Sequence, residues 1–582
     1  MISDRMNSDG SGRRRLPIRG GGRIRLPLVL LLLGILWIAT RPAYHIEAQQ
    51  HDPYYRTLPL GIDGRAYHEW GLLISHGDWL ARSNGNGTEY DDWISKPDGV
   101  LTRAPLYAYF LAFLYRVFGA GFGVVYLAQQ LLGLSTAVLL FLIGRRLFSP
   151  VVGLVAGSLW LLFGTGMLYE MRVGVESLLA LLTAASVYFV IRSQQEDRPA
   201  DWILAGVIIG LTALTRPNWF PYAILLLPLE ILRRGRRRWR TGATNWCLLM
   251  TGALLVILPF TLRNLLLGHR LVLISANGGL NFFFGNNNQT KGDFGLTRQY
   301  YDLVAQYPPG EVPWMRIALR EITAEPLTWI AYTVRKAVLF WKPTEIPNNI
   351  SEEYARHYSP FLRLPWISYG ALSLLAMLGA VTGWRRWRER GGLYLAVAVL
   401  WITITMLYVV NRFRLPVAPL LAVLAAAGIA WLVDGVYRRR FRTVAAAVAG
   451  LATVACMMLP VRAYDRRTTD GVWARNYAAV LADEGRYEEA VREGERARDL
   501  GMAKAADLAI LAQSYYNIGD RGRAADAICT AIQANADDPG VQSTAGAFYT
   551  RSIEDRELAD ALKSAALRLS PTRPPAAAGA QR

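Results

Sequence analysis

Arg233-Arg234-Gly235-Arg236-Arg237-Arg238-Trp239-Arg240 places six arginines in eight residues between two apolar runs, 217–232 and 243–266. Each run is close to the length that crosses a bilayer. Basic residues flanking a short turn stay on the cytoplasmic side, so this stretch reads as an inner turn between two spans. Five further clusters repeat the pattern at the ends of apolar stretches: Arg13 to Arg15, Arg145-Arg146, Arg192 to Arg198, Arg385 to Arg390 and Arg438 to Arg442. With all six on one face, the N-terminus is cytoplasmic. The polar loops 42–121 and 268–360 and the last 120 residues then fall on the outer face, where any chemistry must occur.

Working outward gives eleven spans: 25–41, 122–144, 151–168, 173–191, 201–215, 217–232, 243–266, 361–383, 393–410, 415–433 and 442–460. Two other apolar segments, 104–118 and 327–342, are short, and the second carries Arg335-Lys336 in its middle. Were both to cross, Arg145-Arg146 and the Arg233 cluster would move outside. Both are therefore expected to be amphipathic helices in the outer interface. Pro217 after Arg216, and Pro416 after Arg414, suit the first turn of a helix starting at the outer surface.

The chain has 582 residues, 52% of them hydrophobic, and its mean hydropathy is positive. That composition excludes an ordinary soluble enzyme and sets the fold class as all-α, a polytopic membrane domain at 25–461 with an appended domain. The net charge of +19 does not indicate nucleic acid, because the basic runs sit at span ends, where they orient helices and meet anionic lipid headgroups. Cys247, Cys456 and Cys529 are scattered and spell neither a disulfide framework nor a metal motif. Residues 1–24 and 573–582 are expected to be disordered, the first as a basic cytoplasmic N-terminus. The segment 25–41 has a signal-like charge profile without an obvious cleavage site and is read as a retained anchor.

Between them lies a repeat. Gly485 and Gly519 are 34 residues apart, as are Ala490 and Ala524, and Ala497 and Ala531; Tyr549 continues the register after Tyr515, and Ala565 after Ala531. Thirty-four is the tetratricopeptide period, so residues 470–572 are expected to form paired helices on the outer face. Such a domain serves as a cap on the membrane domain or as a docking surface for a partner or acceptor protein.

In the first outer loop, Asp63 and Tyr67 precede His76-Gly77-Asp78 and Arg103-Ala104-Pro105-Leu106-Tyr107. A carboxylate held at the bilayer surface can accept the proton of an attacking hydroxyl, and adjacent cations can hold a lipid phosphate. Asp63 competes for that part with Asp52, Glu69, Asp78, Asp91 and Asp92.

The order Asp-x-x-x-Tyr, His-Gly-Asp, Arg-x-Pro-x-Tyr, then a span ending Gly144-Arg145-Arg146, resembles bacterial membrane glycosyltransferases related to the protein O-mannosyltransferases and the lipid A aminoarabinose transferase. Thr215-Arg216-Pro217-Asn218, Leu262-Arg263-Asn264, Asn277-Gly278-Gly279-Leu280-Asn281 and Asn411-Arg412-Phe413-Arg414-Leu415-Pro416 extend the likeness to about residues 20–435. The tail and the Asp-Gly-Arg context of Asp63 depart from the better-known members. The resemblance implies a C-type glycosyltransferase fold in the bacterial cytoplasmic membrane. It also implies a polyprenyl-phosphate-sugar donor, a hydroxyl acceptor on protein, lipid or glycan, and Asp63 as general base of an inverting displacement.

On that reading Arg103, Arg172, Arg263, Arg412 and Arg414 are candidates for the donor phosphate, each also explicable as an interfacial anchor. Tyr67, Glu170, Glu176, Asn264 and Asn281 are candidates for sugar or acceptor contacts, although the run Asn277 to Asn288 also suits turns. No metal or cofactor site is spelled; members of this superfamily differ in using a divalent ion, which the resemblance leaves open. A catalytically inert membrane-anchored tetratricopeptide scaffold and a secondary transporter compete with the enzyme. The transporter is disfavoured by spans with almost no midplane charge.

Overall fold

The computed structural model describes residues 25–58, 63–82, 99–295, 297–308, 311–458 and 466–569. The two termini expected to be disordered lie outside them, as do Asp91 and Asp92. Among the described residues the regular structure is helical, with an isolated bridge between Phe163 and Ile367. Seven helical stretches are long and apolar enough to cross a membrane: Leu26–His51, Phe122–Leu147, Glu176–Glu196, Trp239–Gly268, Tyr369–Met406, Asn411–Tyr437 and Phe441–Met458. Leu106–Phe118, Pro150–Leu161 and Pro199–Thr215 are shorter apolar helices. These are the helices of a multi-pass membrane protein.

Tyr369–Met406 is two helices, not one. The Tyr394 hydroxyl lies 3.4 Å from the Ala380 carbonyl fourteen residues earlier, a separation that a straight helix would stretch to about 21 Å. The chain reverses at Trp384–Arg386, inside the fifth arginine cluster. Arg390 reaches back to the Gly383 carbonyl (2.7 Å) and lies over the Phe148 ring. Arg146 pairs with Glu196 (2.7 Å), Arg234 with Asp197, and Gln194 bonds Glu230. Four of the six clusters are thereby gathered at one end of the bundle, as the charge pattern requires.

Small residues let the helices touch. Gly379 meets Gly428 where Tyr369–Gly383 crosses Ala418–Tyr437, and Gly206, Gly210 and Gly252 line the contact between Pro199–Thr215 and Trp239–Gly268. Without water in the bilayer to drive association, such close backbone approach is what holds membrane helices together.

The expected boundaries need four corrections. The first helix continues through Pro42 to His51 instead of stopping at 41, because its Arg41 is neutralised by Glu170 and the backbone has no reason to unwind. The span expected at 151–168 breaks at Leu162–Phe163, where Ile367 takes over the backbone hydrogen bonds of Leu162 and Gly164. The span expected from 361 begins at Tyr369, capped by the Ser368 side chain. Pro416 lies in a 3-10 turn after the helical turn Asn411–Arg414, so that the backbone already coils before it. The outer segments are largely helical too. Asp63–Ser75 packs on Leu106–Phe118, and Gly278–Gly285, Arg298–Gln306, Trp314–Ala324 and Pro326–Leu339 build the second region. On Pro326–Leu339, Leu327, Ile330, Val334 and Val338 form an exposed apolar stripe, as an interfacial helix needs.

Residues 466–569 form three stacked helix hairpins: Arg466–Asp483 with Tyr487–Asp499, Ala505–Asn517 with Arg521–Ala534, and Pro539–Ser552 with Arg556–Leu569. Ala490, Ala497, Ala524 and Ala531 are buried at the close contacts between them. The first hairpin is clamped to the membrane domain. Tyr477 stacks between Tyr54 (4.5 Å) and Tyr358 (5.0 Å), and Glu493 accepts hydrogen bonds from Tyr354 and Tyr358.

Candidate active site

At the end of the bundle opposite the gathered arginine clusters, three remote segments meet at Asp63. It is the first residue of its helix, and Gly64 beside it rests against the Val173 carbonyl, where a Cβ would come within 2.5 Å. The glycine of the Asp-Gly-Arg context is therefore a packing requirement. Arg103 engages one carboxylate oxygen of Asp63 and Arg412 the other. Asn349 adds a hydrogen bond. Burial by itself would raise this carboxyl, but the two guanidinium groups overcome it and hold Asp63 well below the usual carboxylate range.

Glu176, 4% exposed at the start of its helix, lies 3.7 Å from Arg216. The turn leading to it is set by a buried amide. Gln129 donates to the carbonyls of Glu170 and Arg172 and accepts from the Tyr107 hydroxyl, which in turn accepts from the Gly174 amide. Tyr67 lies against Arg103, and the Tyr408 hydroxyl donates to Asn281 Oδ1 at 3.0 Å while standing in the field of Asp63, Arg103, Arg216 and Arg412. Asp63, Tyr67, Arg103, Glu176, Asn281 and Arg412 are thus brought together.

The remaining five expected residues are engaged elsewhere. Arg172 is paired with Asp52 in the interior. Arg263 donates to the carbonyls of Leu80, Ala81 and Gly99. Arg414 donates to those of Lys342 and Thr344. Glu170 grips Arg41 through both oxygens (2.9 and 3.1 Å). Asn264 bridges Val272 and Ile274 to the Leu101 amide. Buried polar groups must be satisfied, and these five find protein partners that tie the outer segments to the bundle.

Sequence reasoning missed Arg216, Asn349 and Tyr408. Arg216 was visible only as part of a turn. Among the described residues its guanidinium makes no hydrogen bond; its Nη2 faces Glu176 at 3.7 Å, it lies over the Phe413 ring at 4.3 Å, and its buried Nη1 has no hydrogen-bond partner. Lys336 was also passed over. It is fully buried, donates to the carbonyls of Gly285 (2.7 Å) and Leu407 (2.9 Å), and so pins the second outer region to the turn carrying Tyr408 and Arg412.

Among the described residues no group of three His, Cys, Asp or Glu is placed to hold a metal ion. The site's own acids do not fit one, since Asp63 has both oxygens on arginines and Glu176 faces a third.

Residues 102–262 match the family model of the dolichyl-phosphate-mannose-protein mannosyltransferases. The matched segment contains Arg103, Glu176 and Arg216; Asp63 and Arg412 lie outside it. Similar solved structures include the archaeal oligosaccharyltransferase AglB from Archaeoglobus fulgidus with an inhibitory peptide and dolichol-phosphate, at 14% identity and TM-score 0.44 over 77% of this chain. This chain spans 57% of the length of that protein. ArnT from Cupriavidus metallidurans bound to undecaprenyl phosphate is similar at 14% identity and TM-score 0.41, over 87% of this chain and 80% of the other. No curated protein matches in sequence.

Proposed function

We propose that this protein transfers a sugar from a polyprenyl-phosphate donor to an acceptor hydroxyl at the outer face of a bacterial cytoplasmic membrane, inverting the anomeric carbon. The observation that carries the reading is the convergence of Arg103, Arg412 and Arg216 on two acids, Asp63 and Glu176, at the end of the bundle away from the gathered arginines. Asp63 is the general base toward the acceptor, and the arginines hold the donor phosphate. As the glycosidic bond breaks, charge grows on that phosphate in a poorly solvated site, where preorganised cations are most effective. Glu176, Tyr67, Asn281 and Tyr408 surround the place of the sugar and acceptor. The stacked hairpins, of tetratricopeptide type, stand beside this site on the outer face, where they can present a protein acceptor or partner.

The test is turnover of radiolabelled polyprenyl-phosphate mannose, arabinose and glucose by the purified protein in lipid, wild type against Asp63→Asn. Loss of label from one donor, reduced about 10²- to 10⁴-fold by the substitution, supports the reading. A folded protein that turns over none of them favours an inert scaffold or a diphosphate donor.

A further inference from the structure

Asp63 is gripped on both oxygens, and a carboxylate in two charge-assisted pairs is a poor acceptor for an alcohol proton. The same two guanidinium groups are what a donor phosphate requires, because the planar fork of arginine matches phosphate and carboxylate alike. Beside them Arg216 holds a buried Nη1 without a partner. An incoming anion therefore meets one guanidinium with an unpartnered Nη1, beside Glu176 at 3.7 Å, and two that are held by the Asp63 carboxylate. Three arginines against Asp63 and Glu176 leave one positive charge, which the single negative charge of a phosphodiester balances.

The geometry points to an exchange in which the donor phosphate takes Arg103 and Arg412 from Asp63, so that the carboxylate is released to act as base only in the donor complex. This rests on the donor reading proposed above. It orders the reaction, donor before acceptor, and keeps the base idle in an empty site. In the transfer step a lone pair of the acceptor oxygen forms the bond to the anomeric carbon. The bond from that carbon to the phosphate oxygen breaks with its electron pair left on the phosphate, and the hydroxyl proton passes to Asp63. The departing polyprenyl phosphate carries the new charge, balanced by the arginines. When it leaves, the clamp closes on Asp63 again and favours loss of the proton to water. The groups facing Asp63 through this cycle are Arg103, Arg412, Arg216, Glu176, Tyr67, Tyr408 and Asn349.

Binding of undecaprenyl phosphate, which lacks a sugar, to the full chain in lipid nanodiscs tests the exchange. Asp63→Asn removes the competitor and is expected to tighten binding about ten-fold, whereas Arg103→Gln and Arg412→Gln weaken it about ten-fold. In wild type carrying ¹³C-labelled aspartate carboxyls, saturating lipid shifts a carboxylate infrared band that is absent from Asp63→Asn. Equal or weaker binding by folded Asp63→Asn overturns the exchange. Tighter binding without the band shift also overturns it, since that outcome reports only relief of charge repulsion. Absence of binding by wild type and all three variants overturns the donor reading itself.

Discussion

Gly64 lies so close to Val173 that a Cβ on the glycine would come within 2.5 Å of the Val173 carbonyl oxygen. This contact joins the helix that begins with Asp63 to the turn that leads into Glu176, and so fixes the spacing of the two acids. Alanine is intrinsically favoured over glycine within a helix by about 1 kcal/mol. Gly64→Ala is nonetheless expected to destabilise by about 1–3 kcal/mol through overpacking and to displace Asp63, with donor turnover falling. Gly34→Ala, where nothing lies within 4 Å, is the control; a Gly64→Ala protein as active and stable as that control removes the contact from the argument.

Arg216 and Arg263 should respond differently to removal. Arg216 makes no hydrogen bond among the described residues but faces Glu176 at 3.7 Å, so Arg216→Met is expected to lower turnover about 10²-fold with a smaller loss of stability than Arg263→Met. Arg263 holds three carbonyls, and Arg263→Met should lower stability by at least about 2 kcal/mol as they lose their donor. Unfolding midpoints in nanodiscs, read beside initial rates, distinguish the two.

Lys336 gives a pH dependence of stability. Burial, reinforced by Arg335, pushes its ammonium down to about 7 from 10.5. Between those values the unfolded chain binds more protons than the folded one, so stability rises with pH from about 7 towards 10.5. Lys336→Met should flatten that slope. A slope equal to wild type in the variant would assign it to other groups.

Tyr477 carries the attachment of the stacked hairpins. Replacing this fully buried ring with alanine is expected to cost about 3–5 kcal/mol at the aromatic cluster. Limited trypsin digestion should then release residues from the hairpin domain faster than in wild type, while Tyr549→Phe, at an exposed position, leaves the pattern unchanged.

The legible part of the site was the part carried by local motifs. Asp63, Arg103 and Arg412 stand in short patterns whose order along the chain is distinctive, and the structure joins them. Arg172, Arg263 and Arg414 stand in equally suggestive patterns and turn inward to carbonyls and to Asp52. Local sequence says that an arginine lies at a span end. It does not say whether a carbonyl waits within reach, because the acceptors come from segments up to 183 residues away.

The sequence by itself determined the helical membrane architecture, the gathering of arginine clusters at one end of the bundle, and the 34-residue period of the tail. Each follows from a property that acts within one helix or one turn: apolar length, flanking charge, small residues at a fixed interval. Only the tertiary structure decided which cations face Asp63, that Arg216 keeps an unpartnered Nη1, where the expected span 151–168 breaks, and how the hairpins attach. Those outcomes depend on contacts such as Asp63 with Arg412, 349 residues apart. Pairings at that separation are chosen by packing and by the need to satisfy buried charge, and neither is written in the neighbourhood of the residue concerned.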